Sequence, residues 1–275
     1  MSGNRGGRWL AALPMGILAV ATIYPLLFTA NVAMKTRREY VLDRFSVAGA
    51  VRLDNITSAW TSVGMGRYFL NSVVVVTAAV VLLLLLGSMA GFALSQSRFR
   101  GSSVLFLGCL AALFIPFQVI MVPLARVMAD TGLIDTYPGL VLAYVAQFLP
   151  FTVFLMTSYY RTVAPEIIDA ARIDGNSLYG VYRRIMLPIG APALLSVGIL
   201  NALFCWNDVL IALLMMPSAE HRTLMVGVTA LRGQYSANIP TFAAGVLIAA
   251  APVLLLYLFL QRQIADGVTA GATKG

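Results

Sequence analysis

The sequence is poor in charge, in cysteine, in histidine and in lysine. Only 11% of its 275 residues are Asp, Glu, Lys or Arg, against about 25% in a soluble domain. With 60% hydrophobic residues and a mean hydropathy of +0.86, the chain cannot hide its apolar surface in one soluble core. Cys109 and Cys205 stand in apolar segments with no C-x-x-C pair. That argues against a disulfide framework or a cysteine zinc site and leaves small core residues. His221 is the single histidine, between Glu220 and Arg222. It supplies no Ser-His-acid set and no metal cluster, so neither hydrolytic chemistry nor a bound metal is expected. Lys35 and Lys274 are the two lysines, and neither stands in Gly-x-x-x-x-Gly-Lys-Ser/Thr. The chain therefore carries no phosphate-cradling loop of that kind.

What is abundant is long apolar sequence. Ten-residue segments of alternating polarity would suggest a barrel, but the runs here are continuous, which favours helices. The expected fold is an all-α membrane protein, a polytopic helical bundle with about six spans of roughly 20 residues each. The spans read from Trp9 to Met34, Tyr68 to Ser95, Val104 to Met128, Tyr137 to Tyr160, Ile189 to Met216 and Phe242 to Leu260. The first is too long for a signal-peptide core and is expected to stay attached, bent or interrupted near Pro25. Pro116 and Pro123 fall inside the third. Residues 1–66 then hold the tail, the first span and a polar connection, and residues 67–275 the core. Asn55-Ile56-Thr57 fits a glycosylation sequon by pattern. Gly87 and Gly91, four apart, suit close approach of another helix, in this chain or a partner.

The net charge of +8 comes from arginines scattered through the connections without a clustered basic face. Lipid headgroups, not nucleic acid, are the counter-ions this pattern predicts. Both ends should lie on one side of the membrane. Basic residues divide almost evenly between the two sides, so charge does not choose which.

One long polar interruption breaks the second half, RTVAPEIIDAARIDGNSLYGVYRRIMLPIGAP from 161 to 192. Pro165 fits a first helical position, and Glu166 and Asp169 follow in or near the first turn, where the helix dipole favours acids. Asp169 and Arg172 are spaced to pair. Ala170 and Ala171 leave a small surface. Gly175 should end the helix in the left-handed conformation, and Asn176 or Ser177 should cap a second one. Its apolar face would be Leu178, Val181, Tyr182 and Ile185, with Pro188 opening the next span. By charge pattern alone this is a solvated loop with an amphipathic turn.

The spans hold few polar groups. Asp208 is the one acid well inside a span, flanked by Trp206 and Asn207. An ionised Asp at mid-membrane costs about 2.5–3.5 kcal/mol on insertion scales, so it must face protein or a watery cavity. It either touches a solute or fixes packing through an interhelical hydrogen bond. Asn71, Gln118, Gln147 and Asn201 pose the same choice. Together with Trp206, Asn207 and Asp208, Asn71 and Gln118 form a candidate solute path.

The residues Asp169-Ala170-Ala171, then Gly175, then Ile185-x-Leu187-Pro188 resemble the "EAA" motif of membrane subunits of ABC importers. Glu166 to Gly175, EIIDAARIDG, is similar to the version in maltose-type carbohydrate importers. Asp169 stands where the family commonly has Glu. Phe69-Leu-Asn-Ser72, Arg98-Phe-Arg-Gly101, Trp206-Asn-Asp208, His221 to Gly227, Gly233-Gln-Tyr235, Gln261-Arg262 and the tail from Gly267 also resemble that family, most of all its second permease subunit. The resemblance implies a permease in the cytoplasmic membrane, with cytoplasmic termini, that imports a sugar or polyol by alternating access. Its loop at 161–188 would carry a coupling helix. Glu166, Asp169, Ala170, Ala171, Asp174, Gly175, Ile185, Leu187 and Pro188 would form the coupling set. The implied partners are a second permease subunit, two ATPase subunits holding ATP and Mg, an extracytoplasmic sugar-binding protein and membrane lipid. The rival expectation is a self-contained carrier or channel dependent on Asp208.

Overall fold

A bilayer offers backbone groups no partner but each other, so apolar runs become helices. The computed structural model describes residues 5–62, 64–96, 99–234 and 238–272. Arg98, Tyr235 and Lys274 lie outside them. The helices are α1 (Arg5–Ala33), α2 (Arg37–Leu42), α3 (Asp54–Ser62), α4 (Met65–Gln96), α5 (Ser102–Leu113), α6 (Phe117–Asp130) and α7 (Tyr137–Tyr160). After them come α8 (Pro165–Ile173), α9 (Leu178–Val181), a π turn (Tyr182–Met186), α10 (Leu187–Asn207), α11 (Leu210–Met215), α12 (Leu224–Gln234) and α13 (Ile239–Ala272). Among the described residues, five helices are long and apolar enough to cross a membrane, and six if the bent α5–α6 pair counts as one. The chain is a multi-pass membrane protein.

Three expectations about the spans need correction. First, of the bend or interruption expected near Pro25, the interruption is absent, since α1 is continuous through it. Second, the third span is two helices bent by 103°. Pro116 is the extended residue before α6, since its ring and missing N–H cannot continue α5. Third, the fifth span neither starts at Ile189 nor runs to Met216. Helix is continuous from Leu178 through the π turn to Asn207, and breaks at Asp208, whose backbone is extended. Between the fifth and sixth expected spans the chain forms a further helix, α12.

The chain forms two compact units. One comprises residues 1–66 with 227–252, the other 67–226 with 253–275. In the first, Lys35 is fully buried, and its ammonium donates to the carbonyls of Asp43 (2.8 Å) and Arg44 (3.2 Å) and to Ser46 Oγ (3.0 Å). All three N–H donors are thereby matched, which makes burial of this cation tolerable. Thr36 and Glu39 close a capping box at the start of α2. Asn55 Nδ2 donates to the carbonyls of Ala33 and Lys35, each at 2.8 Å. The sequon nitrogen is thus used in holding α3 to the end of α1.

In the second unit α4 packs closely on α7. A Cβ on Gly87 would collide with Thr152, and one on Gly91 would stand 2.7 Å from Met156 Cβ. The glycine pair therefore serves contact within the chain. Asn201 on α10 donates to Thr152 Oγ1 on α7 at 2.9 Å, the interhelical bond that was one of its two readings.

Candidate coupling site and solute path

The polar interruption is an elbow built as its local signals dictate. Pro165 occupies the first turn of α8. Gly175 has φ +83°, and a Cβ there would meet nothing within 4 Å, so backbone conformation alone demands glycine. Asn176 N donates to Ala171 O (3.1 Å) and Gly175 N to Arg172 O (3.0 Å). These two bonds are the Schellman pair that satisfies the last carbonyls of a helix. Ser177, not Asn176, caps α9 by accepting from Gly180 N. Asp169 and Arg172 make no ion pair; both side chains are exposed, where such a pair contributes little.

The elbow is seated firmly. Ile168 and Ala171 of α8, with Val181, Tyr182 and Met186, share one buried cluster with Phe92 of α4, Met156 and Tyr160 of α7 and Val197 of α10. Ile185 and Leu187 pack at its edge. Gln96 Nε2 donates to Tyr160 O (2.9 Å), and Tyr159 Oη to Ile189 O (3.0 Å). A Cβ on Gly190 would stand 2.7 Å from the Tyr160 ring. Ala170 and Ala171 thus do different work, the first exposed and the second part of the seat.

Pro188 does not open a new segment. The π turn precedes it, and Leu187 N donates to Tyr182 O five residues back. A proline ring crowds the carbonyl four residues earlier in an α-helix, and a widened turn relieves that crowding.

Glu166, Asp169, Ala170, Asp174, Gly175 and Pro188 face outward. With them stand exposed apolar side chains, among them Leu178, which helical spacing places on the buried face with Val181 and Tyr182. Ile173 is 85% exposed, Tyr179 64%, Leu178 49% and Ile167 43%. Ile173 lies off the Ile168–Ala171 stripe, on an otherwise charged face. That misplacement was the available signal.

The candidate solute path is less open. Asn71 is buried and donates to the carbonyls of Glu220 (2.9 Å) and Arg222 (3.0 Å), while Tyr137 Oη donates to its Oδ1 (2.7 Å). Both its N–H donors are consumed by the 217–223 loop. Ser72 Oγ accepts from Leu224 N (2.8 Å). Trp206 is buried, edge-on to Phe69 at 5.8 Å. Asn207 is exposed and donates to Leu203 O of its own helix. Gln118 is exposed in the first turn of α6. Asp208 sits in the break between α10 and α11, not within a helix. Its carboxylate accepts from Ile211 N (3.3 Å), Ala212 N (2.9 Å) and Tyr144 Oη (3.2 Å). It therefore caps α11 and ties it to α7, an arrangement the sequence hid because Tyr144 is 64 residues away.

The loop that Asn71 holds has a second clamp. Asp135, with φ 61°, accepts from Ser218 N (3.2 Å) and Oγ (2.9 Å), and its Oδ2 is 3.1 Å from His221 Nδ1. Burial pushes the Asp135 carboxyl up, but the hydrogen bonds from Ser218 and His221 outweigh it and hold the group below its usual value. Tyr137 stands edge-on to the His221 ring at 5.2 Å. This clamp and the elbow lie at opposite ends of α7, about 36 Å apart at 1.5 Å per residue.

The elbow is a polar helix pair seated on the apolar spans α4, α7 and α10 of one unit. Residues 83–269 match the family described as binding-protein-dependent transport system inner membrane component, and the chain belongs to that family. It is 34% identical over 272 residues to the diacetylchitobiose uptake system permease protein of Streptomyces coelicolor, covering 97% of this chain and 90% of that one. It is 33% identical over 271 residues to the arabinooligosaccharides transport system permease protein of Halalkalibacterium halodurans, covering 97% and 96%. In fold it is similar to a chain from the crystal structure of a bacterial ABC transporter involved in the import of the acidic polysaccharide alginate. There the TM-score is 0.82 at 20% identity, over 95% of this chain and 98% of that one.

Proposed function

We propose that the chain is one membrane half of an ATP-driven importer for an oligosaccharide or related solute, moved from outside itself through the elbow. One observation carries the reading. The seated elbow displays Ile173 of α8 and Leu178 and Tyr179 of α9 beside Glu166, Asp169 and Asp174, with Ile173 85% exposed. Exposed apolar residues rimmed by charge suit a protein partner better than water. The partner is an ATPase subunit carrying ATP and Mg, one for each of two homologous permease halves. The elbow then lies in the cytoplasm with both termini, and the clamped 217–223 loop faces outward towards a solute-loaded binding protein. Closure of the ATPases pushes α8, and the shared core passes that push to α4, α7 and α10, opening the path to alternate sides. Asp208, the acid a self-powered carrier would need, is already engaged as a cap and by Tyr144, which supports an external energy source.

The test is uptake of diacetylchitobiose and arabino-oligosaccharides by proteoliposomes. The expected result is ATP-dependent uptake that needs a second permease, ATPases and binding protein, with none by this chain alone. Ion-driven uptake by the chain alone, abolished by Asp208→Asn, would overturn the reading.

A further inference from the structure

Tyr182 opens the π turn, where the elbow becomes the span. Its hydroxyl lies 2.7 Å from Ser88 Oγ on α4, and both residues are buried. Ser88 Oγ is also 3.2 Å from Leu85 O, one turn back on its own helix. A serine has one proton to give, and the Leu85 carbonyl can only accept. The direction follows: Tyr182 donates to Ser88, and Ser88 donates to Leu85. The Tyr182 ring packs on Phe92 (5.4 Å between centroids), and Phe92 in turn meets Tyr160 edge-on (6.4 Å). Beside this bond, α4 is pressed on α7 at Gly87, the residue before Ser88, and at Gly91, three residues after it.

Among the side-chain hydrogen bonds of the described residues, this one joins the elbow's helix to α4 directly. The π turn beside it is the one segment between Leu178 and Asn207 with non-α winding. Such turns mark places where a helix can change its winding. Apolar contacts can slide, whereas a buried hydrogen bond holds one register, because breaking it orphans the Tyr182 hydroxyl.

We propose that the Tyr182–Ser88 bond is a strut that forces α4 to follow the elbow, making both positioning residues for coupling. The strut rests on the coupling reading given above. It acts at the π turn: when the elbow is displaced there, the bond carries α4 with it instead of letting α10 move alone.

The experiment uses the assembled importer in proteoliposomes, with the binding protein isolated together with the cargo it carries. The readouts are the fold-stimulation of ATP hydrolysis by that binding protein, assembly yield and the thermal unfolding midpoint. Tyr182→Phe removes one hydrogen bond but leaves Ser88 bonded to Leu85, and Ser88→Ala orphans the tyrosine hydroxyl, so both singles should lower the midpoint, the second more. The double variant Tyr182→Phe/Ser88→Ala removes both hydroxyls, and with them the orphan, and should recover most of the loss seen in Ser88→Ala. For a strut, stimulation falls at least fivefold in both singles and stays low in the double variant. For structural glue, stimulation returns with the midpoint in the double variant, and the proposal is overturned. Ile173→Asp, run alongside, separates the two claims. If it keeps full stimulation, the docking reading fails. If it loses stimulation while Tyr182→Phe/Ser88→Ala keeps it, only the strut fails.

Discussion

Two polar interruptions of one unit, the elbow at 161–188 and the loop at 216–224, solve opposite problems. In the loop, backbone and side chains are tied down. Asn71 and Ser72 grip it from α4, and Asp135 and Tyr137 grip it from the start of α7. The elbow is fixed only from beneath, through Ile168, Ala171 and Tyr182, and its upper face carries acids and apolar groups open to approach. A segment that must only hold its shape spends its polar atoms internally. A segment that must meet another molecule keeps them outside, and gains its rigidity from an apolar seat.

That contrast predicts different failures for substitutions at the two ends. The largest effect falls at Ile173→Asp. A buried interface anchor is worth about 2–4 kcal/mol, so transport should fall about 30- to 700-fold at 1.4 kcal/mol per tenfold. The thermal midpoint should not move, because Ile173 is exposed in this chain. Transport assays paired with thermal unfolding in detergent check both halves; a large drop in midpoint would break the distinction.

Asn71→Ala should do the reverse. It strips hydrogen bonds from two carbonyls and from the Tyr137 hydroxyl, and orphaning buried groups costs about 1–3 kcal/mol each, less where water can enter. Stability falls by a few kcal/mol, while the solute concentration for half-maximal transport stays within twofold in the protein that assembles. A large change in that concentration without loss of stability would instead place Asn71 in the path.

Gly175→Ala sharpens the comparison within the elbow. The left-handed conformation costs an L-residue roughly 1–2 kcal/mol, and open space around Gly175 removes any steric term. Transport should drop severalfold, and Gly175→Asn should recover part of it, since asparagine tolerates that conformation. Equal loss in both would point to a contact requirement.

Acid gives the smallest effect. The Asp135 carboxyl is held below its ordinary value in the folded chain. Its contribution is therefore present above about pH 4, the unfolded carboxylate's range, and is lost as pH falls through the lower folded value. Unfolding midpoints measured from pH 7 to pH 3 should decline less steeply in Asp135→Asn than in the parent. An unchanged slope would mean that the clamp adds nothing.

What was legible in the sequence was local. Pro165, Gly175 and Ser177 announced the elbow because capping and left-handed turns are decided by adjacent residues. The long spans were legible because hydropathy is additive along a run. The 103° break at Pro116, the end of α10 at Asp208 and the π turn were not, since apolar sequence continues through each. Site roles were the least visible. For Asn71 and Asp208 the sequence leaves solute contact and packing bond both open, because their partners, at 220–222 and at Tyr144, are distant in sequence. Ile173 is marked in the sequence only by standing off the Ile168–Ala171 stripe, a signal that acquires meaning once that stripe is known to be the buried face.

The most direct test is a photo-cross-linking amino acid placed at position 173 in the intact, membrane-embedded importer. Capture of the ATPase subunit, lost on depletion of that subunit, is the predicted result. Capture of lipid or of an extracytoplasmic protein alone would contradict the account, because the elbow would then neither dock nor lie in the cytoplasm.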